Sequence, residues 1–222
     1  TEFTWSQRDK DGKVVSTDKY TPLSFYNKLW GYDLNNDYVL VMNDPSREYY
    51  KVYQIEYDRH TYDGHDWVYL NLPNEEVKPM LIASLKDSTA MYISCDVNKF
   101  LNRQKGVMDL KNFDYESLLG VTMTMDKKER IITHASASSH AMTLIAVDID
   151  KATSKPTKWM VENSWGKENG FKGNYIMTDE WFNEYMFRFV LNKKYVPESI
   201  AKLLKQKPIK LPAWDPMFAP EE

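Results

Sequence analysis

The sequence predicts an α+β fold from three patterns along its 222 residues. Two apolar runs, 139–147 and 159–166, flank a polar segment rich in Asp, Lys, Ser and Thr, as in a β-hairpin with a long loop. Other short runs alternate between apolar and polar residues, which is typical of strands half-buried in a sheet. Amphipathic segments that begin at capping residues predict helices between those strands.

Composition and charge give no indication of a membrane or nucleic-acid partner. Hydrophobic residues make up 42% of the chain and charged residues 27%, as in globular domains. The net charge of −3 provides no electrostatic attraction to nucleic acid or an acidic membrane. No apolar run approaches about 18 residues, the length that indicates a transmembrane helix. The single cysteine permits no intrachain disulfide and suits a reducing compartment, so we predict a cytoplasmic protein.

The first half of the chain predicts two helices and several strands joined by polar loops. Residues 1–20 are polar and form either a linker or an exposed hairpin. Thr21 and Pro22 predict a helix start, with Thr at the N-cap and Pro at the first helical position, and Gly31 ends that helix. The elements predicted next are strands at 38–42, 49–57 and 67–72, an amphipathic helix at 74–86 and a strand around Cys95.

The second half continues the mixed pattern after the hairpin. Glycines 166, 170 and 173 lie in a turn that precedes a strand, so they do not form a nucleotide-binding loop. The elements predicted next are a strand at 175–177, a helix at 179–185 capped by Thr178, a strand at 187–191 and a helix at 197–205. Four prolines between Pro208 and Glu222 exclude a helix or a central strand there, so we predict an extended arm that lies against a surface.

His140 and Asn163 are the candidate catalytic residues. His140 begins the first strand of the hairpin and Asn163 ends the second, so antiparallel pairing brings them together. An asparagine amide oxygen accepts one imidazole N–H and fixes the tautomer, which leaves the other ring nitrogen free to meet a nucleophile. Trp165, two residues further along, is placed to cover that hydrogen bond from water.

The other histidines and the cysteine are weaker candidates. His134 lies six residues before His140 but does not enter the apolar strand. His60 and His65 share a polar loop with no nearby cysteine to complete a zinc site, so we expect no metal and no other cofactor. Cys95 lies in a strand-like apolar run with no helix N-terminus to lower the pKa of its thiol, which predicts a buried structural cysteine.

The sequence around both candidates resembles a known family. His140-Ala141-Met142, followed by Glu162-Asn163-Ser164-Trp165-Gly166, is similar to the His and Asn half of the papain-like cysteine peptidases, in the bleomycin hydrolase/aminopeptidase C branch. Similar segments of that branch stand at Thr21–Leu23, Asn43–Pro45, Cys95–Val97, Thr178–Phe182 and Leu211–Met217. The resemblance implies the C-terminal, β-rich half of a papain-like fold with helical additions.

On this resemblance the chain divides into four parts. They are a linker or hairpin at 1–20, a helical and strand insertion leading into the core at 21–130, a β-rich part with the His and Asn at 131–192, and a helix with the C-terminal arm at 193–222.

The resemblance implies a cysteine aminopeptidase that removes N-terminal residues from peptides by thiol acyl transfer. In the family the nucleophilic cysteine lies upstream, in a Gln-Gly-x-Cys-Trp-like motif that is absent before His140. We therefore expect the cysteine and the oxyanion donors in an upstream half of the same protein. The start at Thr1, without Met or a signal peptide, agrees with that expectation. This chain alone should be inactive.

The implied partners are peptide substrates, the upstream half and copies of the protein in a homohexamer. The expected substrate-binding residues are Trp165 and Glu222. In the family the C-terminal arm lies in the active-site cleft, so the carboxylates of Glu221, Glu222 and the chain terminus would attract the substrate amine. Two alternatives remain open. The protein is an endopeptidase if the arm does not occlude the cleft, and a non-catalytic scaffold or interaction module if the upstream half lacks the cysteine.

Overall fold

Strands and helices alternate along the residues that the computed structural model describes, 1–31 and 33–218, without the side chain of residue 35. The strands are β1 (Phe3–Arg8), β2 (Val14–Tyr20), β3 (Tyr38–Met42), β4 (Lys51–Ile55), β5 (Val68–Asn71), β6 (Met91–Cys95), β7 (Leu101–Asn102), β8 (Val107–Met108), β9 (His140–Ile149), β10 (Pro156–Glu162), β11 (Asn174–Thr178), β12 (Met186–Asn192) and β13 (Ile209–Leu211). The α-helices are α1 (Pro22–Leu29), α2 (Leu34–Asp37), α3 (Asn74–Lys86), α4 (Tyr115–Leu119), α5 (Lys127–Ile132), α6 (Asp179–Tyr185) and α7 (Glu198–Ala201). Short 3-10 helices span Lys193–Tyr195 and Lys202–Lys205. The mixed composition confirms the predicted α+β class.

Two units divide the chain, Thr1–Asp37 and Tyr38–Glu222. In the first unit, β1 and β2 pair in an antiparallel hairpin. Helix α1 then begins as predicted, with the Thr21 hydroxyl accepting the backbone N–H of Ser24 at 3.1 Å. The aromatic side chains that hold this unit together, with ring centres 5.1 to 6.5 Å apart, are Phe3, Trp5, Tyr20 and Phe25.

The second unit is built on one sheet with the strand order β13-β4-β5-β3-β12-β6-β9-β10-β11-β8-β7. The pairs β13/β4, β3/β5 and β8/β11 are parallel. Strands β9 and β10 pair with each other and have β6 and β11 on their outer sides. The hairpin with the candidate residues therefore lies inside the sheet, where each of its strands is fixed from both sides.

Both faces of this sheet are covered by apolar side chains. Val39 and Val41 of β3 belong to a large cluster that includes residues of α3 and α6. Leu40 and Met42 of the same strand contact a smaller cluster that includes Met217 of the C-terminal arm. Because successive residues of a strand point to opposite faces, the helices cover one face and the arm covers the other.

The structure differs from the predicted elements in several places, and α2, β7 and β8 are among the elements that were not predicted. The hairpin loop is shorter than predicted, because Asp150 closes a tight turn by accepting the backbone N–H groups of Ala152 and Thr153. The predicted helix at 197–205 is one turn of α-helix followed by a 3-10 turn. Helices α4 and α5 were not predicted, although the side chains of Asp126 and Glu129 form a capping box at the start of α5.

The C-terminal arm follows the constraints set by its prolines. Strand β13 pairs in parallel with β4 at the edge of the sheet, and turns follow up to residue 218. An edge position suits this segment because Pro has no N–H to donate to a ladder. Among the described helices, none has the length and apolarity needed to cross a bilayer.

Candidate active site

The hairpin of β9 and β10 places His140 and Asn163 side by side. Glu162 of β10 pairs with Thr143 of β9. Asn163 directly follows Glu162, and His140 lies three residues before Thr143, so both stand at the same end of the hairpin. On its outer side, His140 pairs with Cys95 of β6. The position of the imidazole is thus set by the ladders of three strands.

A hydrogen bond links the two side chains and identifies the histidine tautomer. His140 Nε2 lies 2.9 Å from Asn163 Oδ1. The same oxygen accepts the backbone N–H of Ser164 at 2.7 Å, which shows that oxygen, and not the amide NH₂, occupies this position. An oxygen can only accept, so Nε2 is the donor and carries the proton. In the neutral ring, Nδ1 is then an unprotonated nitrogen, free to accept a proton.

Trp165 packs beside this hydrogen bond. Its ring centre lies 5.0 Å from that of His140, and the Tyr175 ring meets it edge-on at 5.7 Å. The guanidinium of Arg103 lies 4.3 Å from the centre of the Trp165 ring. Asn163 is only 8% exposed, and its Nδ2 has no hydrogen-bond partner among the described residues. The amide side of the bond between the two candidates is therefore largely buried.

A turn rich in glycine fixes the position of Trp165. Gly166 has a φ of 92°, a left-handed conformation that glycine adopts without strain. Asn169 Nδ2 donates to the carbonyl oxygen of Trp165 at 2.6 Å and closes the turn. A Cβ atom on Gly106 would lie 2.6 Å from the Cα of Gly170, so the backbone of this turn contacts the β7–β8 turn that carries Arg103.

A cavity of about 400 Å³ opens beside Asn163. Side chains from β6, β9 and β10 line it, including Tyr92, Thr143 and Glu162. These three residues form one cross-strand row, because Thr143 pairs with each of the other two. The row places a phenol, a hydroxyl and a carboxylate next to the candidate pair, on a surface that can contact a polar ligand.

Cys95 is buried, as predicted. It lies across the ladder from His140, but its side chain is 0% exposed and belongs to the large apolar cluster. Burial raises the pKa of its thiol, and the adjacent Asp96 charge adds to the increase. A buried thiol that stays protonated cannot reach a substrate or act as a thiolate nucleophile.

The histidines that were weaker candidates lie elsewhere. His134 is exposed and follows α5 with a φ of 58°, in the left-handed region. His60 and His65 are exposed, and His60 packs edge-on against Trp67 at 4.6 Å. No group of His, Cys, Asp and Glu in the described residues could hold a metal ion. Glu222 lies outside the described residues.

The arm is anchored by an ion pair that the sequence did not indicate. Arg47 donates to Asp44 and to Asp215 of the arm, each at 2.5 Å. Burial raises the pKa of the Asp215 carboxyl, and the charge of Arg47 opposes that increase. The backbone N–H of Ser138 donates to Met217 O at 3.0 Å, so the arm reaches the segment just before His140. Neither these contacts nor Arg103 against Trp165 could be found from sequence, because each joins residues far apart in the chain.

Known proteins match this chain over almost its whole length. Residues 1–218 match the Peptidase C1-like family. The chain is 42% identical to human bleomycin hydrolase and 37% identical to aminopeptidase C of Lactobacillus delbrueckii subsp. lactis, each over 98% of this chain and 49% of the relative. The chain is also similar to the crystal structure of PepW from Lactobacillus rhamnosis, with 34% sequence identity and a TM-score of 0.91. That match covers 99% of this chain and 50% of the PepW chain.

The chain spans about half the length of the curated relatives it matches. The matches confirm both the predicted papain-like fold class and the resemblance seen in the sequence. On the match of residues 1–218, the chain belongs to the Peptidase C1-like family.

Proposed function

We propose that this chain is the histidine- and asparagine-bearing half of a cysteine aminopeptidase that removes N-terminal residues from peptides. The observation that carries the proposal is the 2.9 Å contact between His140 Nε2 and Asn163 Oδ1, which leaves Nδ1 free to face a thiol. The matches to bleomycin hydrolase and aminopeptidase C support the same activity.

The nucleophilic cysteine, on this proposal, belongs to the half that this chain does not cover. Cys95 is the only cysteine here and is fully buried. The relatives are about twice as long as the chain, which leaves room for a half that supplies the thiol and the oxyanion donors. The chain on its own is then inactive. The protein that contains both halves is called the full-length protein below.

His140 moves one proton in each of two steps. In the first, the thiolate attacks the peptide carbonyl carbon, the C–N bond breaks, and the Nδ1–H of the imidazolium protonates the leaving amine. In the second, neutral Nδ1 accepts a proton from water, whose oxygen attacks the thioester. The acid leaves and the thiolate and imidazolium are restored. Asn163 holds the ring in one orientation throughout and adds no charge.

The C-terminal arm is the proposed reason why cleavage is limited to N-terminal residues. Its anchor at Asp215 and its contact with Ser138 support an arm that reaches the site. We propose that the carboxylates of Glu221 and Glu222 attract the α-ammonium group of the substrate. Trp165 is the proposed contact for the substrate next to the scissile bond.

The proposed partners are peptides, the cysteine-bearing half and further copies of the protein in a homohexamer. The hexamer is carried over from the resemblance. The cytoplasmic location and the absence of nucleic-acid and membrane partners remain predictions from composition.

The test compares a free-amine aminoacyl reporter with its N-acetylated form, using full-length protein before and after treatment with iodoacetamide. We expect hydrolysis of the free-amine reporter, weak hydrolysis of the acetylated one and loss of both after alkylation. Preference for the acetylated reporter would identify an endopeptidase. Absence of thiol-dependent hydrolysis would contradict the proposal and favour a non-catalytic scaffold.

A further inference from the structure

Two buried serines hold the backbone of His140. Ser94 Oγ lies 3.0 Å from the carbonyl oxygen of His140, to which it donates, and 2.6 Å from Ser138 Oγ. Ser94 is 0% exposed and Ser138 is 9% exposed. Hydrogen bonds in so dry a place are hard for water to replace, so they restrain the strand where it begins.

Arg188 lies at the start of these hydrogen bonds, and its Nε donates to Ser138 Oγ at 2.8 Å. Because Ser94 uses its only proton to donate to the carbonyl of His140, Ser138 is the donor in the contact between the two serines. Ser94 in turn donates to the carbonyl of His140. The chain starts at a permanent cation, whose Nη2 also donates directly to Ser94 Oγ at 3.5 Å. Another nitrogen of the guanidinium is fixed by the Tyr69 hydroxyl at 3.2 Å.

The C-terminal arm closes over this chain of hydrogen bonds. The backbone N–H of Ser138 donates to Met217 O at 3.0 Å. The Phe218 ring lies 5.4 Å from the guanidinium of Arg188 and 5.1 Å from the ring of Tyr69. Ser138 is therefore held through both its side chain and its backbone, two residues before His140.

We propose that Arg188, Ser138 and Ser94 form a positioning relay that fixes the backbone of His140 and thereby aims its imidazole. The inference rests on the proposed function and extends it to residues that touch no substrate. Displacement of a catalytic group by about 1 Å reduces a rate by about a hundredfold. Loss of the restraint on His140, the first residue of β9, should therefore slow catalysis.

A matched control distinguishes positioning from general stability. Ser136 is also buried, in the same segment, but its hydroxyl bonds Asp96 at 2.7 Å and not the relay. In the full-length protein we expect Ser94→Ala and Ser138→Ala each to lower kcat about tenfold with KM within about twofold. Arg188→Met should have the same effect, because the relay loses its first donor. Ser136→Ala should lower thermal stability without this loss, and Ser138→Thr, which keeps the hydroxyl, should restore kcat.

A second measurement does not depend on activity. Hydrogen–deuterium exchange in peptides covering residues 138–144 should become at least about fivefold faster in Ser94→Ala and remain unchanged in Ser136→Ala. Equal kcat values for the Ser94, Ser138 and Ser136 variants, or equal exchange rates, would overturn the relay. If the wild-type protein shows no thiol-dependent hydrolysis, the proposed function fails by itself, and the exchange rates alone then decide for or against the relay.

Discussion

The indole of Trp165 lies with its ring centre 5.0 Å from the imidazole of His140, inclined by 40°. The guanidinium of Arg103, an exposed residue, is a second neighbour of the indole, 4.3 Å from its ring centre. The indole therefore contacts both the histidine and a cation. This arrangement gives Trp165 a structural task at the site, in addition to the substrate contact proposed for it.

Removal of the indole should weaken catalysis by admitting water to the bond between His140 and Asn163. We expect Trp165→Ala to lower kcat/KM about tenfold, and Trp165→Phe to lower it less, because an aromatic ring still covers the bond. Trp67 packs against His60, which has no proposed role, so Trp67→Ala is the matched control. Steady-state kinetics of the full-length protein check this. Equal effects at Trp165 and Trp67 would contradict the shielding role.

Cys95 should be dispensable for catalysis. Its thiol is buried and its pKa is raised, so iodoacetamide should not modify it in the folded protein. Cys95→Ala should leave kcat/KM unchanged and reduce stability by about 1 kcal/mol through a small void. Peptide mass mapping after alkylation and kinetics of the variant provide the measurements. Hydrolysis by this chain alone that disappears in Cys95→Ala would refute our assignment of the nucleophile to the other half.

Lys127 should make stability depend on pH. Its Nζ donates to Asn43 Oδ1 at 2.6 Å and Met186 O at 2.5 Å, and burial lowers its pKa to about 7, opposed by the charges of Glu184 and Asp44. Below pH 7 the lysine is charged in both the folded and unfolded states, and the cost of burying the charge is fully present.

Between pH 7 and the unfolded pKa of 10.5, the folded protein releases this proton while the unfolded chain keeps it. Stability should therefore rise with pH in that range, by up to about 1.4 kcal/mol per unit. Lys127→Met removes the titration, so the stability of the wild type relative to this variant should increase from pH 7 to 9. Urea denaturation of both proteins at each pH measures the difference. A difference that does not change with pH would rule out a lowered pKa at Lys127.

The end of the arm should govern the preference for a free amine. We expect deletion of residues 219–222 from the full-length protein to slow hydrolysis of a free-amine reporter and accelerate that of its acetylated form. The deletion keeps Phe218, whose ring packs against Tyr69, so the anchored part of the arm is preserved. Glu221→Gln with Glu222→Gln is the charge-only control. If the ratio of the two rates is unchanged in the deletion variant, the end of the arm does not determine the preference for a free amine.

The parts of this structure that could be predicted from sequence depend on local chemistry. Thr21 and Thr178 cap helices through hydrogen bonds to residues three positions away, and the pairing of His140 with Asn163 follows from one hairpin. Contacts that depend on the strand order were not predictable. Ser94 and Ser138 are 44 residues apart, and meet because β6 is the neighbour of β9.

Lys127 shows a second limit of sequence patterns. A lysine usually indicates an exposed position, but this side chain is 7% exposed because its partners come from β12 and the end of β3. The ion pair between Arg47 and Asp215 spans 168 residues and depends on the same long-range packing. Patterns of a few residues do not contain this information.

The central claim is that His140, oriented by Asn163, transfers protons during thiol acyl transfer. The most direct test is kcat/KM of the full-length protein on a free-amine aminoacyl reporter, for His140→Ala, Asn163→Ala and the control His134→Ala. We predict a loss of at least about a thousandfold for His140→Ala, because the acid and base itself is removed. Asn163→Ala should retain a measurable rate, because only the orientation of the ring is lost, and His134→Ala should match the wild type. Similar rates for His140→Ala and His134→Ala, or a larger loss for His134→Ala, would contradict the account.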